Sequence, residues 1–178
     1  MVNNLTNGEI KELIETRIPY FINSMLAHDL MMYRKENGIK PLLKDTCYGD
    51  SPVIDPAFEL GPIFGRVLLN FIGISADNNY TSIIRKRWRD NDLKIIELGA
   101  HFKQCDINHH IITNNKLQIL TMFKLADKCI AHLTNVTSQE SDHPYLRPAK
   151  IATCKLVLEH VHGIRRDKIW WIKEVSSL

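Results

Sequence analysis

The sequence predicts an all-α fold, an antiparallel helical bundle of four or five main helices, in a single domain spanning residues 1–178. Three observations predict it. Apolar residues recur at spacings of three and four over residues 9–36, 115–133 and 151–161, the period of an amphipathic helix. Helix start and stop residues bracket those stretches, and short polar connections between them favour neighbours that run back along one another.

Ile10, Leu13, Ile14, Ile18, Phe21, Ile22, Met25, Leu26 and Met32 define the first long helix. Thr6 followed by Glu9 forms a capping-box pattern and Asn37-Gly38 a left-handed stop, while Pro19 is expected to kink or split the middle. Residues 38–54, with Pro41, Cys47, Gly49 and Pro52, lack any period and read as a loop. Asp55-Pro56 opens a second helix through Phe64, Val67, Leu68 and Phe71 to Gly73, disturbed at Gly61-Pro62. Between Asp77 and Leu98 the pattern weakens: a short helix through Ile83, Ile84 and Trp88 is expected, then a helix or brief strand at 93–98. Ile119, Met122, Phe123, Ala126, Ile130 and Leu133 share one face of a helix of about five turns. After a polar connection, Pro148 opens the last long helix, with Ile151, Cys154, Leu158 and Val161 inward and Lys150, Lys155 and Glu159 outward. The adjacent Trp170 and Trp171 close the core or meet a second subunit.

At 44% hydrophobic and 24% charged, the chain is too apolar to stay disordered and long enough for one full core. Its net charge of +3 provides no global field for nucleic acid or anionic lipid, so any basic site must be local. Cys47, Cys105, Cys129 and Cys154 form no CxxC pair, and the N-terminus has no signal-peptide pattern; reduced thiols and a cytoplasmic location are expected. No apolar run approaches the roughly 18 residues of a spanning helix, so a membrane partner is not expected.

Arg85-Lys86-Arg87-Trp88-Arg89 places four basic residues around an aromatic, a composition that can hold phosphates and stack a base; a solvated flank with Trp88 in the core is the alternative. His101, Cys105, His109 and His110 have helical spacing for a metal, but neighbouring polar residues make a surface loop the preferred reading, so neither metal nor other cofactor is expected. Glycine-rich phosphate loops, GxSxG and HExxH are missing from the sequence. On the 115–133 helix, Lys128 and His132 lie four apart, on a polar stripe with Thr121 and Lys124 or Leu125. That stripe is either a solvated face or a functional one.

The stretch Leu125-Ala126-Asp127-Lys128-Cys129-Ile130-Ala131-His132-Leu133-Thr134 resembles the signature helix end of the HEPN superfamily, whose members are four- or five-helix bundles and several of which read Arg-Asp-Lys-x-x-Ala-His here. Gly65-Arg66-Val67-Leu68-Leu69-Asn70-Phe71-Ile72-Gly73 resembles a helix common in bacterial relatives of that superfamily. Together the two stretches cover about twenty of 178 residues. The resemblance implies metal-independent RNA cleavage at the two-fold interface of a homodimer, with His132 as general acid and base and Asp127 and Lys128 beside it. An imidazole suits that role because it exchanges a proton near neutral pH. Ala126 stands where the family's arginine would hold the phosphate; Lys128 can replace it only as a point charge, and Ala126→Arg is expected to raise activity if the pocket is otherwise intact. The rival expectation is a non-catalytic interaction module whose 128/132 stripe meets a partner protein such as an antitoxin or a defence component.

Overall fold

The computed structural model describes residues 5–40, 54–131 and 143–175, with side chains undescribed at 54–56, 128–131 and 143. Among these residues the chain is mainly helical, as the sequence predicts. Short α1 (Asn7–Glu12) leads through a π turn (Leu13–Arg17) into α2 (Ile18–Glu36); then come α3 (Ile54–Phe71), a hairpin of β1 (Ile74–Ala76) and β2 (Ile83–Arg85), α4 (His110–Asn114), α5 (Lys116–Ala131), α6 (His143–His160) and α7 (Trp170–Val175). Helix α3 packs on α2, α5 and α6, and α5 also packs on α6.

The capping box at Thr6 and Glu9 is present: the Thr6 hydroxyl accepts from the Glu9 N–H while Glu9 Oε2 accepts from the Thr6 N–H at 2.8 Å. Pro19 does not split the helix. The π turn just before it widens the spiral where the proline ring would otherwise press on the carbonyl four residues earlier, and helical backbone continues to Glu36. The buried face of α2 is then Ile18, Ile22, Met25, Leu26, Asp29 and Leu30. Each large aliphatic side chain so buried contributes about 1.5–3 kcal/mol before chain entropy is counted.

Three sequence expectations are corrected. Ile83 and Ile84 belong to a strand, not a helix, pairing Ile74 with Arg85, Ser75 with Ile84 and Ala76 with Ile83. The turn explains why: both Asp77 carboxylate oxygens accept from the 81–82 segment, Oδ1 from Thr81 N at 2.7 Å and Oδ2 from Thr81 Oγ1 at 2.7 Å, so local side-chain bonds displace helical ones. Residues Ile95–Leu98 form a single 3-10 turn. The second correction concerns α6, which begins at His143 and carries Pro148 inside it.

Lys150, placed on the outer face by its spacing, is fully buried. Its ammonium donates to Asp29 Oδ2 at 2.8 Å and lies 5.5 Å from the centre of the Phe58 ring. Gly61 makes this possible, because a Cβ there would stand 2.8 Å from Lys150 Nζ and 3.0 Å from the Met25 carbonyl. Arg147 adds a weaker bond to Asp29 Oδ1 at 3.4 Å. Of the two tryptophans, Trp171 closes the core and Trp170 is about half exposed.

Candidate nucleic-acid interface

Helix α3 ends at a residue that had to be glycine. Gly73 has φ +95, and a Cβ would collide with the Gln104 side chain, whose Nε2 donates to the Gly73 carbonyl at 3.0 Å. The same carbonyl accepts from Lys86 N at 2.9 Å, extending the hairpin's extended backbone past β2 into the basic segment.

Exposure alternates along 85–89: Lys86 and Trp88 are half-buried, and Arg85, Arg87 and Arg89 are exposed. The indole of Trp88 donates to the Asn70 carbonyl at 2.8 Å, pinning the segment to α3. Among the described residues, Arg85, Arg87 and Arg89 have no ion-pair partner, and Lys86 has only a long one, 3.9 Å to Asp92. The expected alternatives for Trp88 thus merge: it is anchored, yet still lines the surface. Arg85, Lys86, Arg87 and Trp88 border an open groove of about 870 Å³ with Ser75, Asn78 and Gln104. This groove combines cations, an aromatic edge and neutral polar groups.

The motif residues at the end of α5 are only partly described. His132 lies outside the described residues, as does the Lys128 side chain. Asp127 is described, and both its oxygens are engaged: Oδ1 pairs with Arg66 of α3 and Oδ2 accepts from the Tyr80 hydroxyl at 2.7 Å. Burial, followed by the Asp127 hydrogen bond and charge, raises the Tyr80 phenol to about 12, so it remains a donor. Tyr80 reaches this point from the hairpin turn with φ 55, the described non-glycine residue with positive φ. Asp127 therefore organises Arg66 and Tyr80; it is not a free base. Ala126 is completely buried. Leu125 is buried as well, so among the described side chains of the polar stripe Lys124 is the exposed one.

Tyr80 was missed by sequence reasoning, and Arg66 entered it only as part of the 65–73 stretch, with no site role. Arg66 is one-third exposed and has more N–H donors than its pair with Asp127 uses, so a guanidinium stands beside the motif although position 126 lacks one. Nothing in the spacing of residues 66, 80 and 127 signals their meeting. The hairpin links the two candidate regions, with Tyr80 at its turn and Arg85 at its end.

Of the candidate metal ligands, His109 and His110 lie side by side, their ring centroids 4.5 Å apart. Cys105 is buried, and desolvation, reinforced by Asp106 and Glu159, lifts its thiol to about 12; His101 is exposed. His109 caps α4, its Nδ1 accepting from Ile111 N at 3.3 Å, while Nε2 lies 3.3 Å from Glu159 Oε2. Among the described residues, no group of three or more His, Cys, Asp or Glu is placed to hold a metal ion. No described helix is long and apolar enough to cross a membrane.

Compared with protein-family models, curated proteins and solved structures, the chain matches none.

Proposed function

We propose that the chain is a HEPN-like helical protein that binds single-stranded RNA through the face formed by Arg85, Arg87 and Arg89, with Lys86 and Trp88 at its edge. The observation that carries this reading is the alternating exposure along 85–89, which leaves three guanidinium groups exposed and without an ion pair among the described residues while the aromatic between them is anchored. Successive arginines two residues apart in extended backbone stand about 6.7 Å apart, a step suited to successive phosphates of a stretched strand. Base stacking on an anchored indole adds sequence-tolerant affinity.

Fluorescence anisotropy of a labelled RNA dodecamer, read across a salt series, tests it. Three phosphate contacts predict a log–log salt slope of about −2 for a single strand. The triple variant Arg85→Ala/Arg87→Ala/Arg89→Ala should lose most of that slope; an unchanged slope and affinity refute the reading.

A second reading, metal-independent cleavage with His132 as proton carrier and Lys128 beside it, draws support from Arg66, which brings a guanidinium to Asp127. RNA incubated in EDTA with the parent chain, His132→Ala and Arg66→Gln separates the two readings. Cleavage lost in both variants supports catalysis; cleavage undiminished in His132→Ala removes it. A homodimer that brings the 128/132 stripes of two copies together belongs to the same reading. Light scattering that gives a monomer at all concentrations would remove it.

A further inference from the structure

Against the basic segment, lined by its Lys86 and Trp88 but by none of its arginines, lies an apolar pocket of about 220 Å³. Its walls come from α2, α3 and the 86–93 segment, and include Phe21, Phe71 and Trp88. The volume is below the usual range of roughly 300–1,000 Å³ for small-molecule sites, so it suits one ring system and not a whole nucleotide. Three polar residues interrupt the apolar wall: Asn70, Lys86 and Asp92. The Asn70 Oδ1 atom is buried without a hydrogen-bond partner among the described residues, an arrangement that costs free energy unless something else satisfies the amide. Because the terminal amide torsion is soft, Asn70 can turn its donor–acceptor edge toward an occupant. Lys86 and Trp88 border both this pocket and the basic groove, so the two spaces share a rim.

We propose that this pocket receives a nucleobase. The ring packs against Trp88 and the phenylalanines, its hydrogen-bonding edge meets the Asn70 amide, and the attached phosphate leaves past Lys86 toward the arginine face. The inference rests on the RNA-binding reading and deepens it by making one nucleotide of the strand the anchored one. It also accounts for a polar amide kept in an apolar wall, where an aliphatic residue would pack at lower cost.

The test titrates the four nucleoside 5′-monophosphates, and separately the labelled RNA dodecamer, into the full chain and two variants. Val67→Trp fills the pocket from a rim position that is 43% exposed, and Asn70→Ala removes the amide while keeping the backbone carbonyl that holds Trp88. At least one monophosphate should bind at millimolar or lower concentration and quench Trp88 fluorescence, and each variant should weaken it by roughly tenfold, the scale of one lost stacking or hydrogen-bonding contact. Asn70→Ala should also melt no lower than the parent, a result that a purely structural role for the amide would not give. If no monophosphate binds while an apolar probe such as indole does, the base-pocket inference is overturned. It is equally overturned if both variants bind RNA and monophosphate like the parent. When those variants are silent but the triple arginine variant loses RNA, the arginine face stands and the pocket falls; when the triple variant also binds normally, both fall. Should Val67→Trp not fold, Asn70→Ala decides by the same criteria.

Discussion

Replacing Asp29 by asparagine keeps the shape of the side chain and removes its charge, which leaves the fully buried ammonium of Lys150 without its anion. The pair is bonded at 2.8 Å, and the side chains are 0% and 7% exposed, so solvent cannot make up the loss. Removing one member of such a pair costs about 3–5 kcal/mol. In a chain of this length each kcal/mol moves the melting temperature by about 2–4 °C, so Asp29→Asn should melt roughly 6–20 °C below the parent. Lys150→Met should cost less, about 1–3 kcal/mol, because Asp29 retains its bond from the partly solvated Arg147. The double variant Asp29→Leu/Lys150→Met should return to within about 2 kcal/mol of the parent, since an apolar pair of similar volume often matches a buried ionic one. Urea titrations followed by circular dichroism give all three values. If Asp29→Asn unfolds at the same urea concentration as the exposed control Asp167→Asn, the buried pair does not have the role assigned to it.

Three further outcomes are expected. Tyr80 should ionise at about 12 in a 295 nm titration, and Asp127→Asn should remove the part of that rise which burial does not supply. Its raised folded value means that its contribution to stability is complete below pH 10 and is lost as pH rises through about 12. His109 is held below the ordinary imidazole value, chiefly by burial, although Glu159 opposes the shift. Its contribution is present above pH 6.5 and is lost as pH falls through the lowered folded value, so His109→Gln should flatten the stability profile on the acid side; a C2-proton NMR titration placing His109 at or above 6.5 contradicts this. Ala126→Arg should drop sharply in melting temperature or fail to fold, because it forces a charge into a position with no exposed surface, and it should not gain ribonuclease activity. A soluble variant melting near the parent would show that position 126 is not in the core.

Local signals in the sequence carried the long helices. The capping box at Thr6, the stop at Gly73 and the periodicity from Ile119 to Ala126 all depend on neighbours within a turn or two, and each is present. The hairpin was not legible because strands of three residues are too short to establish a period, while the deciding interaction is the Asp77 carboxylate bonding across its turn. Lys150 misled for a different reason: its partner lies 121 residues away, and spacing alone assigns a lysine to solvent. At the candidate interface, the basic run at 85–89 was visible as composition, but which members are exposed depends on a strand ending at Arg85 and a non-helical segment after it where the sequence suggested a helix. Arg66 and Tyr80 meet Asp127 only through the packing of α3 and the hairpin on α5. His132 and the Lys128 side chain lie outside the described residues.

The π turn ahead of Pro19 has a consequence for deletions. Such a turn holds one residue more than a regular helical turn, and each residue advances a helix by about 100°. Ile10, upstream of that surplus, still packs against the core because the wider turn absorbs the extra residue. Forcing uniform four-residue hydrogen bonding with all residues retained would swing Ile10 and Leu5 by over a quarter of a revolution from the surface they cover, whereas excising exposed Thr16 would let regular helix resume with both still in place. The irregular turn thus keeps the two ends of the first helical stretch in phase with a single core.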